Sequence, residues 1–162
     1  MTTPQVRPIP EDMHSLTPHL VCADALKAID FYKRAFNATE AGILTMPDGK
    51  LMHGMIRIGD SALMLAEQND AWGTVGPAKL GGTPVTIHLY VKDVDAVFKR
   101  AVAEGDTAKM EPVDMFWGDR YGVLTDPFGH CWSIATHVRD VSPEEMQQEA
   151  SKMGDCGGAG PQ

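Results

Sequence analysis

The chain has 162 residues, 43% of them hydrophobic and 22% charged, a composition that gives one globular domain, or two very small ones, enough apolar surface for a core. Fourteen Lys and Arg against 22 Asp and Glu leave a net charge of -8, and with no local basic patch this excludes nucleic acid and anionic membrane as partners. The mean hydropathy of -0.19 and the lack of a long apolar run exclude a transmembrane helix, and the N-terminus lacks the basic-then-apolar order of a signal peptide. Three cysteines, Cys22, Cys131 and Cys156, are an odd number without C-x-x-C pairing, so the expected compartment is the reducing cytoplasm.

Residues 1–15 carry three prolines and no periodicity, which predicts a mobile segment. Leu16 to Cys22 reads as a strand, and Asp24, as N-cap, opens a helix in which Leu26, Ile29, Tyr32 and Phe36 recur at helical spacing. Thr39 to Met46, Leu51 to Ile58 and Ser61 to Ala66 follow as three strands, joined at Asp48-Gly49 and Gly59-Asp60. The second half repeats the order. Val85 to Val91 is a strand, and Asp93 caps a helix with Val94, Val97, Phe98, Ala101 and Val102 on one face, stopped by Gly105. Strands at Thr107 to Val113, Arg120 to Thr125 and Cys131 to His137 complete it, the last turn being Asp126-Pro127-Phe128-Gly129.

The order is therefore β-α-β-β-β twice, and His19 and His88, like Asp24 and Asp93, stand 69 residues apart. Lys33-Arg34-Ala35 also recurs as Lys99-Arg100-Ala101, and an internal duplication accounts for the pattern. Ser142-Pro143-Glu144-Glu145 opens a C-terminal helix to about Met153, before a glycine-rich end that would gain little from ordering. The predicted organisation is an N-terminal segment 1–15, a first module 16–80, a second module 81–138, and a helix with a flexible tail over 139–162.

TPHLVCADALKAIDFYKRAF, its echo IHLYVKDVDAVFKRAV, and FWGDRYGVLTDPFGHCWSIATH resemble the vicinal oxygen chelate superfamily of glyoxalases, bleomycin-resistance proteins and extradiol dioxygenases, and within it the PhnB-like branch. The resemblance spans roughly residues 16–138. It implies an α+β fold of two βαβββ modules, each curling its sheet around a cavity with the helices outside, and a homodimer. It also implies that active members hold a divalent metal through the first and fourth strands of both modules. Those positions fall here on Thr17, Met64, Thr86 and Ser133, which supply neither the charge nor the imidazoles that Zn²⁺, Ni²⁺ or Fe²⁺ require. No metal and no other cofactor is expected at this quartet.

Strand alternation assigns His19, Met64, Thr86, His88, Tyr90, Cys131, Ser133, Ala135 and His137 to the concave side, with Arg120 opposite Tyr121. His19 and His88 can serve as acid and base, as hydrogen-bonding cavity walls, or with Cys131 as a displaced zinc site. Phe116-Trp117-Gly118-Asp119-Arg120-Tyr121 resembles the branch's pocket rim. It has the chemistry to grip a planar or anionic ligand, or else it is a rigid loop in which Asp119 pairs with Arg120 and Trp117 fills the core. The expected ligand-binding residues are thus His19, His88, Met64, Trp117, Arg120 and Tyr121. Three functions stay open: binding or sequestering a small molecule such as a natural product without a metal, lyase or isomerase action on a small carbonyl compound through a displaced metal or the histidines, and a partner-binding module.

Overall fold

The computed structural model of the chain describes residues 6–154. Its elements are β1 (His19–Cys22), α1 (Ala25–Phe36), β2 (Thr39–Thr45), β3 (Leu51–Ile58), β4 (Ser61–Glu67), α2 (Pro77–Leu80), β5 (Thr86–Tyr90), α3 (Val94–Glu104), β6 (Thr107–Asp114), β7 (Asp119–Thr125), β8 (Cys131–His137) and α4 (Pro143–Gly154). The fold is α+β, two βαβββ modules and a C-terminal helix. The chain divides between Thr83 and Pro84 into two compact units, residues 127–129 joining the first. Residues 6–15 contain no helix or strand, and Cys156 with the glycine-rich end lies outside the described residues.

Both units use one topology, with strand orders β1-β4-β3-β2 and β5-β8-β7-β6, the first pair of each parallel and the others antiparallel. The 69-residue offset survives at atomic detail. Glu67, the last residue of β4, accepts the Asp24 and Ala25 N–H groups at 2.9 and 2.8 Å, and Thr136 of β8 accepts the Val94 N–H at 2.9 Å. A side chain at one equivalent position thus satisfies the first free donors of each helix, which otherwise lack partners. Asp93 caps α3 as its sequence predicts, through Ala96 N–H at 3.0 Å. Asp24 does not cap α1: its backbone is left-handed, its side chain pairs with Lys27, and Glu67 takes the role.

The fifth residue of each helix, Ile29 in α1 and Phe98 in α3, then presses onto a sheet glycine. A Cβ on Gly122 would lie 3.0 Å from the Phe98 ring and 3.1 Å from the Met110 carbonyl, and one on Gly54 would lie 2.9 Å from Ile29 Cδ1. Ile29 and Phe98 are again 69 apart. Around these contacts Leu20, Cys22, Ile56, Leu63 and Leu65 are buried in the first unit, and Leu124, Trp132 and Ile134 in the second. The short helix α2 and a single 3-10 turn over Asp70–Trp72 had no periodic signal. Strand β1 is shorter than the expected Leu16 to Cys22, because Pro18 cannot donate to the ladder and contributes only its carbonyl, to Met64 N–H at 2.9 Å.

One acid of the second unit is buried without a partner for its carboxyl group: Asp106 is 5% exposed, and neither carboxyl oxygen is hydrogen-bonded to a described residue. Burial first, and the nearby Asp126 second, push its pKa up to about 8. The native state therefore keeps a proton that the unfolded chain releases above its ordinary value of about 3.9, and this group withdraws stability as pH rises from there to about 8. Asp106→Asn removes this ionisation, so its stability relative to the wild-type chain should improve as pH rises from about 4 towards 8. Urea unfolding checks it, since the difference between the two proteins must move in the variant's favour from acid to neutral pH and a constant difference would refute the assignment.

Candidate functional site

Lateral pairing aligns the side chains on the face of the second sheet that lies away from α3. His88 stands beside Ser133 and Ser133 beside Val123, while Tyr90 stands beside Ala135 and Ala135 beside Tyr121. One step on, His137 pairs with Asp119. Neighbours in such rows point to the same side of a sheet. The result is a face carrying His88, Tyr90, Tyr121 and His137, with Trp117 entering from the loop before β7.

The ring geometry is that of a packed aromatic group. His88 meets Tyr90 edge-on with centroids 4.5 Å apart and lies nearly parallel to Tyr121 at 6.0 Å, and Trp117 meets Tyr121 edge-on at 5.6 Å. His88 Nδ1 and Ser133 Oγ share a hydrogen bond of 2.7 Å. Tyr90 remains 60% exposed, so an apolar ring surface is available at this face.

Asp119 organises the group. Its carboxylate is buried and accepts from Tyr90 Oη at 2.8 Å, from Trp117 Nε1 at 3.2 Å and from His137 Nδ1 at 2.8 Å. Burial pushes its pKa up, but these donors, His137 foremost, outweigh burial and hold it below the usual carboxylate range. His137 donates from its other nitrogen to Asp140 at 2.9 Å. An imidazole facing carboxylates at both nitrogens donates to both only as the cation, and Asp140 and then Asp119 raise its pKa.

Gly118 sets the entry of Trp117. Its φ is 103°, a Cβ there would lie 2.1 Å from the Arg139 carbonyl, and its own carbonyl accepts from Val138 and Arg139 N–H at 2.9 and 3.1 Å. This loop is pinned to the segment after β8, so the glycine serves a close approach between backbones.

Arg120 departs from its expected place. Its guanidinium makes a two-point contact with Asp95 of α3, at 2.7 and 2.8 Å, and a third bond to Asp114 at 3.2 Å. It lies on the helix side of β7, apart from Trp117 and Tyr121, and Asp119 has no bond to it. Alternation places Tyr90 and His137 on this face from the sequence alone, but neither they nor Asp119, the hub of the group, are among the expected ligand-binding residues.

His19 and Met64 belong to the first unit, where they stand side by side across β1 and β4. Thr17 lies outside β1. The four positions implied for a metal do not fit one: Ser133 is bonded to His88, Thr86 Oγ1 donates to Cys131 Sγ at 3.6 Å, and Met64 is a neutral thioether. Among the described residues no group of three or more His, Cys, Asp or Glu is placed to hold a metal ion. A cleft of about 430 Å³ in the first unit is polar, and two of its acids are engaged elsewhere, Glu67 on α1 and Asp70 with Lys79. No helix among the described residues is long and apolar enough to cross a membrane.

A family model described as Glyoxalase/Bleomycin resistance protein/Dioxygenase superfamily matches residues 13–134. The chain is 50% identical over 144 residues to the uncharacterized protein Rv0887c of Mycobacterium tuberculosis, covering 87% of this chain and 85% of that protein. Among solved structures, TioX from Micromonospora sp. ML1 matches with a TM-score of 0.62 at 24% identity, over 77% of this chain and 99% of its own. The PhnB protein from Bacillus cereus matches with a TM-score of 0.60 at 17% identity, over 76% and 99%. These two likenesses concern the fold.

Asp119→Asn should lower the His137 pKa towards its ordinary value and cost about 1–3 kcal/mol of stability, because charged acceptors hold their donors more strongly than neutral ones. The sign follows from both partners. The raised His137 contributes stability at low pH that is lost as pH rises through its folded pKa, and the depressed Asp119 contributes stability that is lost as pH falls through its own. Proton NMR titration of the His137 ring checks the shift, and an unchanged midpoint would contradict the hub.

Proposed function

As this chain belongs to the Glyoxalase/Bleomycin resistance protein/Dioxygenase superfamily, we propose that it is a small-molecule binding protein that works without the metal quartet. Its ligand is a planar, aromatic compound of the natural-product kind, taken up on the face of the second sheet. The observation that carries this reading is the aromatic group His88, Tyr90, Trp117 and Tyr121, held in place by the buried Asp119. Rings already fixed by packing and by hydrogen bonds to Asp119 let a guest stack on the exposed Tyr90 at little cost in side-chain entropy. The net charge of -8 favours a cationic guest over an anionic one.

A lyase or isomerase would need a free base on this face. His137 is held between two carboxylates and is not set to take a proton from a substrate, whereas His88, with one ring nitrogen bonded to Ser133, keeps the other as the base this second reading would use. Arg120 is engaged by Asp95 and Asp114 and is not part of the proposal. His19 and Met64 stand on the other unit's sheet and play no part in it.

Titration with a panel of planar cationic aromatics, followed through the fluorescence of the added compound, tests the reading. Trp117→Ala should weaken binding by roughly thirtyfold, the loss of an aromatic anchor worth about 2 kcal/mol, while circular dichroism stays unchanged. Equal affinity in a folded variant would place Trp117 outside the site. Elemental analysis after dialysis gives an independent check: zinc, nickel and iron should be substoichiometric, and a tightly held ion lost on changing Ser133 would overturn the metal-free reading.

A further inference from the structure

The first unit carries the same four sheet positions with different chemistry. His19 stands beside Met64 across β1 and β4, and Met55 stands beside Met64 across β3 and β4. His53 is two residues before Met55 on one strand, hence on the same face. The His19 and His53 rings lie 5.7 Å apart, edge to face. By register the second unit has His88, Ser133, Val123 and Tyr121 at these places, and there the histidine is hydrogen-bonded to the serine. In the first unit neither the His19 ring nor the His53 ring forms a hydrogen bond with a described residue. Burial first, and His53 second, hold His19 below the ordinary imidazole range, so it carries a lone pair at neutral pH.

We propose that His19, His53, Met55 and Met64 form a binding site for one soft monovalent cation of the Cu(I) class. Two imidazoles and two thioethers on three neighbouring strands are neutral donors of the borderline and soft kinds, and thioethers favour Cu(I) over hard divalent ions. Arg57, two residues beyond Met55 on the same face and bonded to the Asp12 carbonyl at 2.8 Å, adds a positive charge that weighs more heavily against a divalent ion. Three of the four donors lie off the positions where the superfamily places its metal. The ion binds without change of oxidation state. The site is independent of the aromatic face of the second unit, so either proposal can fail while the other stands.

Silver(I), a redox-inert soft cation, is the probe, added to the full chain carrying Cys131→Ser and Cys156→Ser so that these thiols do not compete. Native mass spectrometry should report one bound silver ion. Methyl NMR should show shifts at Met55 and Met64 among the ten methionines, with shifts of the His19 and His53 rings. Met55→Leu with Met64→Leu, a volume-conserving pair of changes, should weaken binding roughly tenfold or more. No one-to-one complex, shifts spread over the other methionines, or wild-type affinity in the folded double variant would each overturn the site. Should the double variant fail to fold, the methyl and ring shifts of the chain that keeps its methionines decide the question alone.

Discussion

A carboxylate taken out of water costs several kcal/mol unless donors replace its hydration, and Asp119 meets that demand with three donors from three separate segments. Tyr90 comes from β5, His137 from β8 and Trp117 from the loop before β7. Each is drawn to one point, and their rings are thereby turned onto the same face of the sheet. His88 and Tyr121 then pack against rings whose positions are already set. The aromatic surface is a consequence of the need to satisfy one buried charge.

The same logic explains what the duplication kept and what it let go. Kept are the connections that close a βαβββ module: a side chain at the end of the fourth strand capping the helix, and a glycine in the third strand seating a helix side chain. Glu67 and Thr136 do the first with different chemistry, and Gly54 and Gly122 do the second with the same residue. What changed are the positions on the opposite face, where nothing in the module's own packing fixes the residue. Met64 against Ser133, and His53 against Tyr121, are substitutions on the face away from the helix, where each unit has its own set of donors.

Much of this was legible in the sequence. Period changes, the two Asp-Gly or Gly-Asp turns, the Asp93 cap and the 69-residue spacing of His19 and His88 fix the order of elements and their alternation. The Lys-Arg-Ala echo was misleading, because its copies are 66 residues apart while the helices align at 69 through Ala25 and Val94. Three residues make nearly one turn of a helix, so a motif shifted by that amount still falls near the same face and imitates a true equivalence. The start of β1 was overestimated because apolar content continues back to Leu16 while the hydrogen-bond ladder stops at Pro18.

The site was harder to read, for a physical reason. Alternation decides which face a strand residue occupies, but it says nothing about which partner a charged side chain finds there. Arg120 and Asp119 are neighbours in sequence with opposite charges, yet adjacent strand residues point to opposite faces, so their pairing was disfavoured from the start. Arg120 instead meets Asp95 in the first turn of α3, where an acid already stabilised by the helix N-terminus offers both oxygens to a planar guanidinium. Asp119, left on the other face without a cation beside it in sequence, is met by His137, whose pKa it raises. Local charge complementarity was therefore present in the sequence, and the pleat of one strand divided it between two faces: one ion pair fastens the helix, and the other arranges the rings.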